Sequence, residues 1–553
     1  MEGSDPLMKY QRAALSAALS LSLLASGTGL ASAGEVRAKT PIRHLVVIYQ
    51  ENVSFDHYFA TYPTAANPSG EPVFRAAPGT PFVNNLQNSG LLYKNPNAGV
   101  ANGSSAALPF RLDRTQAATA DQNHSYTPEQ QAYDNGAVDL FPLYTGAGLP
   151  GGVGAFGTQG QVMGYYDGNT VTALWHYAQR FAMSDASFSN TYGPSTPGAL
   201  EVVSGQTNGL KILATTKQPS TLAKSSPFIN DGQGGYTMIN DIDPGADVCS
   251  STSNQGLMTG RNIGDLLNER GVSWGGFMGG FNLKAKNADG STGCQRQTYS
   301  STVSESVADY IPHHNWFQYY ASTANPTHAR PSSIDAIGSS YVAGGNRPDP
   351  ANHEYDLEDF YLAARHGIMP TVSFIKMPAY QDGHAGYSDP LDEQNGIVKL
   401  VNFIQQRPEW KNTAIIIAYD DSDGWYDHAF VKPTHSSFDG QADQLNGAGV
   451  CGSGKAPIGV SGKPVNGRCG PGTRLPMIVI SPYARVNYVS HKLVEQSSVA
   501  RFIEDNWLDG KRLGQGSFDA SSGQIDDMFD FQHKPNFAPL FMNRTTGNIV
   551  PSL

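Results

Sequence analysis

Apolar residues fall along this chain in short runs rather than long stripes. Residues 45–48 (LVVI), 413–419 (TAIIIAY) and 475–481 (LPMIVIS) are rich in β-branched side chains, and 272–278 and 371–376 (TVSFIK) are weaker versions of the same pattern. Runs this short, without alternation, read as strands buried on both faces. Between them the period changes to that of a helix, at 171–183 (VTALWHYAQRFAM), 262–270, 356–366, 396–406 and 496–507. Gly271 and Gly367 stand where the second and third of these should stop. A further helix is expected just after Ser195. Buried strands alternating with helices predict an α/β fold: a mostly parallel central sheet covered on both faces. Residues 60–160 and the other stretches rich in Asn, Gly, Ser and Pro read as long loop insertions. With no internal repeat and no clear linker, 34–553 is expected to form one catalytic domain with insertions.

In such sheets ligands collect at the carboxyl ends of strands. The first run delivers Gln50-Glu51-Asn52 and then Asp56-His57; the run at 413–419 delivers Asp420-Asp421-Ser422-Asp423-Gly424. Taken alone, an Asp-Asp pair is most often an acidic turn. Two strand ends of this kind change the reading, because adjacent carboxylates repel unless a cation neutralises them. Glu51, Asn52, Asp420 and Asp421 therefore predict a site of hard oxygen ligands for one divalent metal ion, with Ca²⁺, Mg²⁺, Mn²⁺ and Zn²⁺ all open. Ser195 lies at the centre of Tyr192-Gly193-Pro194-Ser195-Thr196-Pro197-Gly198. Most serines in such turns are structural, but flanking prolines hold a rigid turn of the kind a positioned nucleophile needs. A nearby metal would make its hydroxyl a better attacker. His124, His313, His314 and His384 lie in polar loops. A lone histidine is usually a hydrogen-bonded surface residue; near a metal, such groups can bind phosphoryl oxygens or protonate a leaving group at neutral pH. His313 and His314, if on a strand, would face opposite sides. No G-x-S-x-G or Walker loop is present, and Ala199 stands where a sulfatase motif beginning at Ser195 would need Arg.

Three blocks together carry a family resemblance. QENVSFDHYF at 50–59, YGPSTPG at 192–198 and IIIAYDDSDGWYDH at 415–428 resemble, in order, the motifs of the bacterial phosphoesterase family of secreted acid phosphatases and phospholipases C. The resemblance implies an alkaline-phosphatase-like three-layer α/β/α sandwich. It implies one metal held by Glu51, Asn52, Ser195, Asp420 and Asp421, with Ser195 as a nucleophile that forms phosphoserine. It also implies that Asn190 helps hold the phosphoryl group. His124 and His384 would flank it, one of them as the acid, and His313 and His314 would be paired substrate-binding histidines. Phospholipases of the family usually read Tyr-Asp-Glu-His-Gly-Gly after the second strand. Tyr419-Asp420-Asp421-Ser422-Asp423-Gly424 is similar to the acid phosphatase branch instead. Val53 stands where the family commonly has a basic residue. The expected activity is hydrolysis of phosphomonoesters; the alternative is a phospholipase C cleaving phosphodiester head groups.

Composition narrows the partners. The chain of 553 residues has a net charge of −11 and 15% charged residues, against the usual ~25%. No Lys/Arg-rich run appears, which disfavours nucleic acid and anionic membrane surfaces as partners. Residues 13–24 (AALSAALSLSLL) followed by Ala31-Ser32-Ala33 read as a signal peptide of residues 1–33, with Met8 the better natural start. An exported, periplasmic or secreted enzyme is expected, without stable membrane insertion after cleavage. The apolar run falls short of the ~20 residues a span needs. Four cysteines in an exported chain predict two disulfides, with Cys249–Cys294 and Cys451–Cys469 favoured among the three connectivities. The sequence leaves the oligomeric state open.

Overall fold

The computed structural model describes residues 37–217 and 226–552; the signal-peptide expectation lies outside them. Its centre is an eight-stranded sheet. In chain order the strands are β1 (His44–Gln50), β2 (Ala182–Ser184), β3 (Trp274–Met278), β4 (Glu354–Asp356), β5 (Val372–Lys376), β6 (Thr413–Tyr419), β7 (Met477–Ile480) and β8 (Tyr488–Ser490). Their order across the sheet is β4-β3-β5-β1-β6-β7-β2-β8. The pairings β3–β4, β3–β5, β1–β5, β1–β6 and β2–β8 are parallel, and β7 runs antiparallel to both β6 and β2. Seven strands thus share one direction, as a sheet covered on both faces should. All seven residues of β6 are buried, and each fully buried aliphatic side chain there contributes roughly 1.5–3 kcal/mol.

The longer helices are α1 (Phe55–Phe59), α2 (Tyr126–Tyr133), α3 (Thr172–Arg180), α4 (Ser195–Ser204), α5 (Ile263–Arg270), α6 (Leu357–Arg365), α7 (Pro390–Gln405) and α8 (Ser498–Trp507). On one face α4 packs against α5 and α8; on the other α3 packs against α7, and α6 meets α7 through Tyr361 and Phe403. Tyr49 and Tyr419 show the two faces. The Tyr49 hydroxyl donates to the Gly198 carbonyl of α4, while the Tyr419 hydroxyl donates to Glu393 of α7. The expected three-layer α/β/α arrangement is therefore present. Arg37–Leu553 pack as one unit. Among the described residues no helix is long and apolar enough to cross a membrane.

Several expectations need correction. The helical pattern at 171–183 ends at Arg180, and Ala182–Ser184 turns into the buried strand β2; the apolar residues after Phe181 serve the sheet, not the helix face. The helix expected at 396–406 begins six residues earlier, where Asp389 caps it by accepting from the Leu391 and Asp392 amides and Pro390 takes the first turn. The stretch between Asn208 and Met258 adds a separate five-stranded sheet. Its strands are short and interrupted by Gly and Asp, so periodicity does not mark them. Both favoured disulfides are present, Cys249–Cys294 and Cys451–Cys469.

Candidate active site

Sheet register brings the two acidic strand ends together. In the parallel pair β1–β6, Gln50 lies opposite Tyr419, so Glu51-Asn52 and Asp420-Asp421 leave the sheet side by side. β5 runs alongside β1 on its other edge and ends at Lys376. Asn52 takes a left-handed backbone (φ 54), which asparagine tolerates better than most residues. The Val53 amide then donates to the Asp421 carbonyl, and the Asn52 amide donates to Asp420 Oδ1 at 3.2 Å.

Ser195 reaches this corner because α4 comes unusually close to it. A Cβ on Gly198 would lie 2.1 Å from the Asp420 carbonyl oxygen, so only glycine lets the first turn of α4 rest on the ligand loop. Ser195 is the first residue of that helix, at the end where backbone amides and the helix dipole favour anions. Its hydroxyl lies 2.9 Å from Glu51 Oε2, 3.1 Å from Asp421 Oδ2 and 3.3 Å from Asn52 Oδ1.

The donor set fits a cation. Asn52 Oδ1 faces only oxygens: Glu51 Oε2 at 2.8 Å, Asp421 Oδ2 at 3.0 Å, Asp420 Oδ1 at 3.1 Å and Ser195 Oγ at 3.3 Å. Turning the amide over would satisfy those oxygens with N–H donors, but it would demand a proton on His384 Nε2. His384 Nδ1 already lies 2.5 Å from the Ala385 carbonyl, where it has to donate. Burial pushes the ring's pKa down to about 4, so it is neutral and Nε2 is an acceptor. The Asn52 amide N–H thus points at His384, and its oxygen turns inward with the carboxylates. Such an all-oxygen corner is stable with a divalent ion at its centre. Burial, with Asp420 beside it, raises the Asp421 pKa well above the carboxylate range, despite the opposing effect of His124.

Next to the Ser195 loop, at Pro194, lies a cleft of about 480 Å³ lined by His124, His313, His314 and His384, with Asp121, Asp241 and Tyr387 also in its wall. Only Pro194 and Ile311 in that lining are apolar. Burial acts to lower the His124 pKa, but Asp421 and Asp423 outweigh it and hold it well above 6.5; Asp423 Oδ1 lies 3.1 Å from Nδ1. His313 is likewise raised against burial, chiefly by Asp243 at 3.4 Å. His314 is pushed well below its ordinary value by burial and the neighbouring histidines, and its Nδ1 sits 3.1 Å from Glu51 Oε1. The pair does not lie on a strand: Pro312–His314 form a 3₁₀ turn with ring centroids 4.5 Å apart.

Of the sequence-derived residues, only Asn190 is not brought to the cluster or the cleft. It is fully buried, and both ends of its amide are spent on Ser497: Nδ2 donates to Oγ at 2.8 Å and Oδ1 accepts from the amide at 2.9 Å. Its expected grip on the phosphoryl group is thus replaced by a structural one. His57 supports the loop, stacked on Trp425 at 3.9 Å with Nδ1 against the Gly164 carbonyl at 2.8 Å. Two residues escaped sequence reading. Lys376 ion-pairs with Glu51 and lies 3.3 Å from Asp420 Oδ2; its position at the end of a buried strand was the available signal. Glu129 of α2 accepts from the Gly193 amide at 2.9 Å and the Ser422 hydroxyl at 2.8 Å, tying the serine loop to the Asp421 loop. No pattern in the sequence marks it.

The profile of the Phosphoesterase family matches residues 42–508, a span that takes in every residue of this corner. Among curated proteins, the chain is 23% identical over 479 residues to the non-hemolytic phospholipase C of Burkholderia pseudomallei (strain K96243), covering 85% of this chain and 55% of that protein. It is 22% identical over 533 residues to phospholipase C B of Mycobacterium tuberculosis (strain H37Rv), covering 93% of this chain and 82% of that protein. The chain thus spans only about half the length of the Burkholderia relative. Among solved structures, an alkaline phosphatase superfamily protein from Vibrio parahaemolyticus matches at TM-score 0.26 and 11% identity, over 83% of this chain and 90% of that one. Murine ectonucleotide pyrophosphatase/phosphodiesterase 5 matches at 0.29 and 10%, over 65% and 95%. At such scores the fold rests on the sheet order given above. By the extent of the profile match, the chain belongs to the phosphoesterase family.

Proposed function

We propose that this chain is an exported, metal-dependent acid phosphatase of broad specificity that hydrolyses phosphomonoesters through a phosphoserine on Ser195. The observation that carries this reading is the Ser195 hydroxyl on the edge of an all-oxygen corner, at a helix N-terminus and next in the chain to Pro194, which lines a polar cleft. Glu51, Asn52, Asp420 and Asp421 would hold the ion together with Ser195. When bound, a divalent ion supplies a lower pKa for the serine hydroxyl and neutralises charge gathering on the phosphoryl oxygens.

The chain's own groups account for the rest. Ser195 Oγ loses its proton toward the carboxylates it already faces and bonds to phosphorus as the ester P–O bond breaks. His124, kept protonated by Asp421 and Asp423, gives its proton to the departing oxygen. A water molecule then attacks the phosphoserine, with His124 taking the proton back. His384 does not serve as the acid in this scheme; as a neutral acceptor it orients Asn52. His313, at the rim, offers a cation to the phosphoryl oxygens.

Polar lining favours a small hydrophilic ester over a lipid. A second reading, phospholipase C, is supported by the curated relatives that carry that name and by Asp121 and Asp241 in the cleft wall, which suit a cationic head group. One experiment separates them: turnover of an aryl phosphate and of phosphatidylcholine, with and without chelator, by wild type and Ser195→Ala. Chelator-sensitive monoester turnover and acid-stable phosphate on Ser195 are expected. Preference for the lipid would reverse the order of the readings, and full activity of Ser195→Ala would remove the nucleophile assignment.

A further inference from the structure

The carboxylates of the corner do not present all their oxygens to Ser195. Glu51 Oε1 is taken by Lys376 and by His314 Nδ1 at 3.1 Å, while Oε2 faces Ser195. Asp420 Oδ2 lies 3.3 Å from Lys376 Nζ, while Oδ1 faces Asn52 and accepts from the Asp421 amide at 2.9 Å. One oxygen of Glu51 and one of Asp420 are thus turned toward Lys376, and their other oxygens face the Ser195 side of the corner. Lys376 itself is 1% exposed and has Tyr49 beneath it, with Nζ 5.8 Å from the ring centroid.

Charge counting gives this arrangement a purpose. With an ion bound, Glu51, Asp420 and Asp421 set three carboxylates against the one ammonium of Lys376, and buried Asp382, near Glu51 across His314, adds a fourth. One divalent ion then offsets most of the charge that Lys376 leaves. Without the ammonium, the same corner with one ion would be more negative by one charge, and a negative corner repels the phosphoryl group it has to receive.

The geometry points to Lys376 as a positioning residue that trades metal affinity for phosphate affinity: it limits the pull of the corner on the cation so that the loaded site repels an anionic substrate less. This rests on the single-metal reading above. A merely structural lysine would not produce such opposing effects. Losing a structural residue should weaken both the metal and the phosphate.

The test uses the full-length mature protein, stripped with chelator and titrated calorimetrically with Mn²⁺, and then, metal-saturated, with inorganic phosphate. Lys376→Met is expected to bind the first Mn²⁺ at least tenfold more tightly than wild type and phosphate at least tenfold more weakly. Lys376→Arg, which keeps the charge, should stay within about threefold of wild type for both. Lys376→Gln replaces the Met variant if circular dichroism shows that one unfolded. Equal or weaker Mn²⁺ binding in the neutral variant, or unchanged phosphate binding, would overturn the role of Lys376 and leave the phosphatase reading standing. A wild type that binds no divalent ion would overturn that reading as well.

Discussion

Two buried acidic clusters in this protein are built from the same two sequence segments and differ in the cations that partner them. Glu51, Asp420 and Asp421 form one; Asp56 and Asp427, a few residues further along each segment, form the other. In the second, Arg474 spends its whole guanidinium: Nε on Asp427 at 3.0 Å, Nη2 on Asp56 at 3.2 Å and Nη1 on the carbonyls of Asn84 and Asp185. His428 adds a contact to Asp56 at 2.5 Å. Burial would raise the Asp56 pKa, but His428 and Arg474 outweigh it and hold it below the ordinary value, while burial keeps Asp427 raised to about 6 against the pull of Arg474. In the first cluster three carboxylates share one ammonium, and Asp421 is raised well above the carboxylate range. The spacing of acidic groups is similar in both. What differs is the supply of fixed cations, and the cluster that lacks them is the one beside a serine and a cleft.

The difference can be broken from either side. Arg474→Met leaves Asp427 buried without its cation and Asp56 with His428 alone, and should destabilise the fold by about 3–5 kcal/mol in denaturant unfolding; a loss within the usual surface range would mean that the second cluster does not need its cation. Saturation with a divalent ion at about 100 times its Kd should stabilise wild type by ~2.7 kcal/mol, and this gain should vanish in Asp421→Asn. An equal gain in the variant would place the ion elsewhere. In the metal-free protein Asp421→Asn relieves like-charge repulsion and should be neutral or stabilising, by about 1 kcal/mol; strong destabilisation would contradict the charge deficit.

The smallest effect is on pH. A carboxyl whose folded pKa lies above its unfolded value binds more protons in the folded state, so stability falls as pH rises through that window. Chelated wild type should therefore gain stability relative to Asp421→Asn as pH drops from neutral toward the ordinary carboxylate range. A pH-independent difference between the two would mean that Asp421 is not the raised group.

Much of this contrast was legible in the sequence. β1, β5 and β6 announce themselves by uninterrupted β-branched runs, and because parallel register is set by those runs, the meeting of Glu51-Asn52 with Asp420-Asp421 follows. Ser195 was legible from its prolines and the family motif. What stayed hidden depends on contacts far apart in the chain. Asn190 looked like a phosphoryl ligand until Ser497 of a distant loop occupied its amide. Lys376 is a residue type that usually points to water, and only the acidic corner beside it explains its burial. Arg474, which decides that the second cluster needs no metal, lies 47 residues beyond Asp427 with no motif to connect them.

The most direct test is calorimetric titration of the chelator-stripped protein with Mn²⁺ in wild type, Asp421→Asn and His428→Gln. The charge-deficit account predicts one ion per chain in wild type, the same ion at closely similar affinity in His428→Gln, and its loss or at least a hundredfold weakening in Asp421→Asn. Undiminished binding in Asp421→Asn, or binding lost in a folded His428→Gln, would contradict it.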